Sequence, residues 1–230
     1  MITTSETLSD KLQSRCAQLS PGEKFWIGLA GAPGSGKSTL ARELKTHLGD
    51  SLCVLPMDGY HFYRKELDEM PDPEMAHARR GAPFTFNANR FVKDLQNARM
   101  SGVGSFPGFQ HGTGDPVEGE IVLREDHRLV VVEGNYLLLD EKPWCRLRES
   151  VFDETWFLHV PIEECKARLI HRHQQESGRT ETEAKHRVDT NDGPNAELVL
   201  ASMKNAGRAI VIESLASGEN PPRRPEYSSL

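Results

Sequence analysis

The chain has 230 residues, a formal net charge of −6 and a hydrophobic content of 37%. This length suits one α/β domain with a substantial core, and the composition is that of an ordinary globular protein. The acidic balance argues against general binding to nucleic acids or anionic membranes. No apolar run approaches the roughly 20 residues of a transmembrane helix. The four cysteines form no C-x-x-C pair, which indicates a reducing compartment and predicts a cytoplasmic protein.

The two ends of the chain differ from its middle. Residues 5–19 have apolar side chains at helical spacing, which predicts an amphipathic helix that covers one side of a sheet. We therefore assign residues 1–20 to an N-terminal helix and residues 21–213 to one domain. Residues 214–230 contain three prolines and many small polar residues, so we predict a disordered tail there.

A glycine-rich loop dominates the first part of that domain. Phe25 to Ala30 is an apolar run typical of a buried strand, residues 39–48 have a helical pattern, and GAPGSGKS between them fits G-x-x-x-x-G-K-[ST]. Such a loop turns backbone N–H groups and a helix N-terminus toward one phosphate group. We expect Lys37 to reach the β- and γ-phosphates and Ser38 to bind Mg²⁺. The predicted ATP contacts in this loop are Gly31, Ala32, Pro33, Gly34, Ser35, Gly36, Lys37, Ser38 and Thr39.

A second apolar run, residues 52–57, predicts a parallel strand that neighbours the phosphate-loop strand. Asp58 follows its end, at the edge of the sheet where ligands bind in α/β proteins. We interpret Asp58 as a catalytic base, with a turn-forming role as the alternative. Tyr60 and His61 follow in the same polar turn, and we assign both to substrate binding.

Two polar segments interrupt the alternation of strands and helices. Residues 66–83 look irregular, and their paired arginines fit either a solvated face or an anionic contact; we assign Arg80 to the substrate. Residues 101–126 look like a long loop with one short strand at 120–123, the kind of loop that is functional or disordered. Within it, His111 and Asp115 fit turn chemistry or substrate contact, and we assign His111 to the substrate.

The second half of the chain supplies a carboxylate and a basic helix. Glu133 ends the strand-like run 129–132 in a Walker-B arrangement, where it would hold Mg²⁺ directly or through water and face the substrate; a structural cap is the alternative. After a strand at 156–160, residues 161–174 form a predicted helix that carries Arg168 and Arg172. With Arg179 in the following loop, these cations either complement the helix dipole or form a lid over the phosphates.

Alternating strands and helices predict a mostly parallel, doubly wound five-stranded sheet in a three-layer αβα sandwich. The segments AGAPGSGKST, MDGYH, VVVEGNYLLLD and the basic helix resemble the phosphoribulokinase/uridine kinase family of P-loop kinases over roughly residues 25–212. RRGAPFTF, DPV and NDGPN are similar to a fructokinase-like or uridine kinase-like subgroup. The resemblance implies a P-loop NTPase fold with a lid, Asp58 as general base, Glu133 as Walker-B acid, lid arginines at ATP, and Asn195 near the adenine.

The combined pattern predicts a kinase that uses ATP and Mg²⁺ to phosphorylate a hydroxyl of a nucleoside, sugar or related small metabolite. The catalytic residues would be Lys37, Asp58 and Arg172. A regulatory NTPase switch and a non-catalytic nucleotide-binding module are the alternatives. The guanine-reading sequence N-K-x-D is absent, and a degenerate module would not be expected to keep Lys37, Ser38, Asp58 and Glu133 together. A homodimer remains open.

Overall fold

The computed structural model describes residues 2–110 and 112–212, so His111 and the predicted tail at 214–230 lie outside the described residues. The strands and helices in chain order are β1 (Ile2–Thr3), α1 (Ser5–Ala17), β2 (Phe25–Gly31), α2 (Lys37–Leu48), β3 (Leu52–Pro56), α3 (Arg64–Asp68), α4 (Pro73–Ala78), α5 (Ala88–Ser101), β4 (Gly104–Gln110), β5 (Asp115–Leu123), β6 (Leu129–Gly134), α6 (Cys145–Ser150), β7 (Glu154–Leu158), α7 (Ile162–Ser177), α8 (Glu181–Arg187), α9 (Gly193–Ala201) and β8 (Arg208–Ile212).

A parallel sheet with the strand order β1-β8-β7-β2-β6-β3 forms the middle layer. The five predicted parallel strands are confirmed, and the two-residue strand β1 adds a sixth beside β8. The expected neighbour relation of β3 is wrong, because β6 lies between β3 and the phosphate-loop strand β2. All six residues of β6 are buried, whereas Val54 and Pro56 of β3 are only partly buried. The fully buried strand β6 therefore suits the inner position.

Helices cover both faces of the sheet. On one face, α1 and α2 pack their leucines against β2 and β6 through Leu8, Leu44, Ile27 and Val131. On the other face, α5, α6 and α9 bury residues such as Phe91 against the same strands. The predicted three-layer sandwich is therefore confirmed. The domain boundary at residue 20 stays a prediction, and α1 shares its core with the sheet.

Residues 104–110 and 115–123 pair as an antiparallel hairpin, β4–β5, where we expected a loop with one short strand. Glycines and a proline hide the strand pattern of β4, and most of β5 is exposed, so neither strand shows apolar alternation. The hairpin packs on the turn after β3, since a Cβ on Gly59 would lie 2.0 Å from the Pro107 carbonyl oxygen. The hairpin and the Asp58 turn are thus positioned by one close backbone contact.

Three short helices were also missed. The segment expected to be irregular, 66–83, holds the end of α3 and all of α4, and α6 follows the loop after β6. Asp72 caps α4 by accepting a hydrogen bond from the Met75 N–H at 2.9 Å, with Pro73 in the first turn. Pro73, one of the prolines that suggested an irregular segment, therefore marks the start of a helix.

The predicted basic helix, α7, continues to Ser177, and Gly178 ends it with φ +62°. After two intervening residues, α8 begins at a capping box formed by Thr180 and Glu183. A π-helical turn, Val188–Asp192, then joins α8 to α9. Across the part of the chain that the structure describes, no helix combines the length and the apolar character needed to cross a membrane.

We expect Gly59→Ala to lower the free energy of unfolding by about 1–3 kcal/mol, because the new methyl group overlaps the Pro107 carbonyl. Gly112→Ala is the matched control in the same hairpin, since its Cβ meets nothing within 4 Å, and it should stay within about 0.5 kcal/mol of the wild type. Urea denaturation measures both values. Equal stability of the two variants would contradict the role of this contact.

Candidate active site

The phosphate loop depends on two glycines with left-handed backbone. Gly34 and Gly36 have φ values of +81° and +93°, a region that other residues enter at a cost. Gly34 also lies against α7, because a Cβ there would be 2.6 Å from the Cys165 carbonyl oxygen. Gly36 is the N-cap of α2, so its conformation turns the loop directly into the helix whose N–H groups face the phosphate position.

Ser35 is fully buried in the loop, and its hydroxyl has no hydrogen-bond partner within residues 2–110 and 112–212. Its own N–H donates to the Ala32 carbonyl at 3.1 Å. An unsatisfied buried hydroxyl is uncommon in folded proteins and often indicates a missing ligand. The loop therefore suits a polar ligand such as a chain of phosphate groups. Pro33 and Thr39 lie half-buried in and beside the loop.

The Lys37 side chain is buried and makes three hydrogen bonds from Nζ. It donates to the Gly31 carbonyl at 2.8 Å, the Ala32 carbonyl at 3.0 Å and Asn135 Oδ1 at 2.8 Å. Burial lowers the pKa of its ammonium, and the negative charges of Glu133 and Asp58 oppose that lowering. The lysine is therefore held under the loop, and a phosphate group would replace part of this hydrogen bonding.

Ser38 and Glu133 form the candidate magnesium site. Ser38 Oγ donates to Glu133 Oε1 at 2.8 Å, which places two oxygen ligands together at the start of α2. Burial raises the pKa of Glu133, and Lys37 opposes the rise. No group of three or more His, Cys, Asp or Glu in the described ranges could hold a metal alone. The pair suits Mg²⁺, which typically uses few protein ligands and shares phosphate oxygens.

Asp58 lies half-buried on the turn after β3. Its negative charge favours a higher pKa at both Lys37 and Glu133. The register explains this proximity, because Pro56 of β3 pairs with Glu133 of β6. His61 Nδ1 lies 2.9 Å from the Asp58 carbonyl oxygen, and its ring packs between Phe86 and Phe109. The structure thus brings the predicted base and the predicted metal ligand to the same end of the sheet.

Tyr60 points away from this group. Its ring is buried, and its hydroxyl donates to Asp94 Oδ2 of α5 at 3.0 Å. Burial and the neighbouring Asp94 carboxylate raise the pKa of Tyr60. The side chain therefore anchors the turn to α5, and its predicted substrate contact stays a prediction.

The three lid arginines have different surroundings. Arg168 pairs with Glu164 and donates to the carbonyls of Gly34 and Ser35, each at 3.4 Å. Arg179 lies 3.3 Å from His173 Nδ1, and His173 in turn pairs with Asp192 at 2.6 Å. Arg172 is exposed, yet its positive charge reaches Lys37 and contributes to the lowered pKa of that lysine.

A short segment, residues 78–81, links this lid to the acceptor side; we call it the strap. The strap carbonyls of Ala78 and Arg80 accept hydrogen bonds from Arg187 of α8. Arg79 donates to Asn191 Oδ1 at 3.1 Å and to Asn195 Oδ1 at 3.4 Å. Asn195 therefore faces the strap, and its predicted adenine contact stays a prediction.

Arg80 itself turns to the tip of the β4–β5 hairpin. Its Nη2 donates to the Gly114 carbonyl at 2.6 Å and lies 3.5 Å from Asp115 Oδ1. The predicted contacts Arg80 and Asp115 thus meet each other, while His111 lies outside the described residues.

Sequence reasoning missed Asn135 and Tyr136, which follow the Walker-B strand β6. Asn135 accepts a hydrogen bond from Lys37, and the Tyr136 hydroxyl donates to the Gly81 carbonyl at 2.5 Å. Their position directly after the strand beside the phosphate-loop strand is the signal that could have identified them. They connect the phosphate loop to the strap.

Comparison with known proteins agrees with this geometry. A family model described as an AAA domain matches residues 27–189. The protein named "Putative uridine kinase C227.14" from Schizosaccharomyces pombe is 38% identical over 211 residues, which cover 84% of this chain and 86% of that protein. The "ATP-dependent kinase-like protein notR'" from Aspergillus versicolor is 37% identical over 150 residues, 63% of this chain and 87% of that protein.

Among solved structures, a protein described as a "putative fructose transport system kinase" from Silicibacter sp. TM1040 superimposes with a TM-score of 0.78 at 31% identity. The match covers 90% of this chain and 98% of that one. The kinase names accord with the phosphate loop, the buried Lys37 and the Ser38–Glu133 pair. The chain therefore belongs to the phosphoribulokinase/uridine kinase family of P-loop kinases, as its motifs predicted.

Proposed function

We propose that this protein transfers the γ-phosphoryl group of ATP to a hydroxyl of a nucleoside, a sugar or a related small metabolite. The observation that carries the proposal is the grouping at the carboxyl end of the sheet. Lys37, the Ser38–Glu133 pair and Asp58 meet there within electrostatic reach of one another. A nucleotide-binding module without catalysis needs no carboxylate at the position of Asp58.

In this proposal the loop N–H groups and Lys37 bind the phosphates, and Arg172 adds positive charge from the lid. Ser38 and Glu133 hold Mg²⁺, which supplies charge neutralisation when bound. Asp58 accepts the proton of the acceptor hydroxyl. Asn135 orients the Lys37 ammonium, because its Oδ1 accepts one of the lysine N–H groups.

The acceptor can be identified by measuring ADP release with Mg²⁺-ATP over nucleosides, pantothenate, hexoses, pentoses and glycerate. A turnover that depends on one of these compounds supports the kinase, and ATP hydrolysis independent of all acceptors supports the NTPase switch. We further propose a cytoplasmic location, which the free state of Cys16, Cys53, Cys145 and Cys165 supports. A homodimer remains a proposal without a defined surface.

We expect Lys37→Met to lower turnover about 10²-fold or more and to weaken Mg²⁺-ATP binding, because the buried ammonium lies directly against two loop carbonyls. Methionine keeps the apolar stem of the buried side chain, which limits the effect on folding. Lys11→Met on the exposed face of α1 is the control. Calorimetric ATP titration and the ADP assay test both changes, and full turnover in Lys37→Met would refute the assignment of the loop.

Asp58→Asn should lower kcat about 10²- to 10⁴-fold with little change in ATP affinity, because a general base acts in transfer rather than in binding. Glu133→Gln should instead raise the Mg²⁺ concentration needed for half-maximal rate, because it weakens a metal ligand. Parallel Mg²⁺ titrations of turnover separate the two roles. Normal transfer by Asp58→Asn would leave Asp58 as a turn residue only.

Among the lid arginines, Arg172→Ala should cause the largest loss of kcat, because Arg168 and Arg179 already have protein partners. Arginines at transferred phosphoryl groups contribute about 10³- to 10⁵-fold in related chemistry. Arg42→Ala, on the exposed face of α2, is the control and should keep normal turnover. Losses below about tenfold for Arg168, Arg172 and Arg179 alike would identify them as helix-end charges.

A further inference from the structure

Arg80 is a largely buried cation whose hydrogen bonding is incomplete. Its side chain is 12% exposed, and Nη2 makes the contacts to Gly114 and Asp115. Nη1 is fully buried and has no hydrogen-bond partner among the residues that the structure describes. Burial lowers the pKa of Arg80, and the charge of the nearby Asp115 carboxylate acts in the opposite direction. A buried guanidinium N–H without an acceptor is costly and usually has a missing partner.

The charges around Arg80 favour an anion as that partner. Asp115 is the carboxylate nearest to Arg80, and its Oδ1 also accepts the backbone N–H of Arg64 at 2.8 Å. The Arg64 side chain approaches the same place, since a Cβ on Gly114 would lie 2.7 Å from its Nη2. The neighbouring acid Glu118 is already paired with Arg90. The Asp115 carboxylate is therefore shared by the Arg80 guanidinium and the Arg64 backbone N–H, and the Arg64 guanidinium beside them donates to the Thr113 carbonyl at 3.1 Å.

This group lies on the acceptor side of the proposed transfer site. The Tyr136 hydroxyl donates to the carbonyl of Gly81, the residue after Arg80, and the pKa of Tyr136 is raised by burial and by the charge of Asp58. Asp58 and the strap therefore flank the same tyrosine. His61, three residues after Asp58, packs on Phe109 of the hairpin whose tip holds Arg80. An acceptor whose hydroxyl lies at Asp58 would thus have the Arg80 guanidinium on the side of the β4–β5 hairpin.

We propose that the acceptor of this kinase is an anion, and that Arg80 binds its carboxylate or phosphate group at the tip of the β4–β5 hairpin. A guanidinium binds such groups through paired N–H donors, which suits the unused Nη1. The proposal rests on the kinase function above. It narrows the substrate class from neutral nucleosides and sugars to hydroxy acids and sugar phosphates.

The first test compares acceptors that share hydroxyl groups and differ in charge. Glycerate and glycerol, gluconate and glucose, ribose 5-phosphate and ribose, and pantothenate and pantothenyl alcohol form such pairs. The anionic member of the active pair should be phosphorylated preferentially, and the pair that responds distinguishes a carboxylate from a phosphate. Arg80→Met should raise the KM of the anionic acceptor about 10- to 100-fold with the KM of ATP unchanged. Preferential phosphorylation of a neutral acceptor would overturn the inference and leave the kinase function intact.

The second test is independent of turnover. With the phosphate loop filled by Mg²⁺ and a non-hydrolysable ATP analogue, inorganic phosphate and glycerate are titrated calorimetrically into the protein. We expect saturable binding of at least one anion to the wild type, its loss in Arg80→Met, weaker binding in Arg80→Lys, and normal binding in Arg90→Met. Arg80→Lys keeps the positive charge and guards against a folding defect, which thermal unfolding of each variant also checks. No saturable binding to the wild type, or equal binding to Arg80→Met, would overturn the inference.

Discussion

The burial of the Lys37 ammonium beneath the phosphate loop is the constraint on which the rest of the site depends. A buried cation needs several acceptors or a nearby opposite charge, and Lys37 has both. Two acceptors come from the loop itself, and the third comes from Asn135 after β6. The charges come from Glu133 and Asp58. The lysine therefore links three strand ends, and each of them carries a residue of the proposed chemistry.

The parallel sheet supplies the rigidity that this linkage requires. Strand β6 is buried along its whole length between β2 and β3, so the position of Glu133 follows from backbone pairing on both sides, and Asn135 comes directly after the strand. The glycines of the phosphate loop also help to fix the positions of the site residues. Gly34 lets α7 approach the loop closely, which brings Arg168 of that helix to the carbonyls of Gly34 and Ser35. The groups of the proposed chemistry are thus placed by packed elements, as electrostatic catalysis requires.

The strap, residues 78–81, connects the lid side of the molecule to the β4–β5 hairpin. Its carbonyls bond to Arg187 of α8, Arg79 bonds to Asn191, and Arg80 bonds to the hairpin tip. Lid and hairpin are therefore joined through residues 78–81 rather than through the sheet.

The sequence by itself determined the parallel sheet, the phosphate loop and the carboxylates at strand ends, because strongly apolar runs and a spaced glycine motif depend on local patterns. It did not determine the hairpin β4–β5, because the glycines and proline of β4 and the exposed residues of β5 show no alternation of apolar and polar side chains. Strand β4 is held in place by its contact with Gly59, which the sequence does not reveal. It also led to the wrong neighbour for β3, which was expected beside β2, because pairing between distant strands is a tertiary choice and β6 lies between them. The same reason explains Asn135 and the partners of Arg80: their contacts join residues far apart in the chain, and only the folded structure brings those residues together.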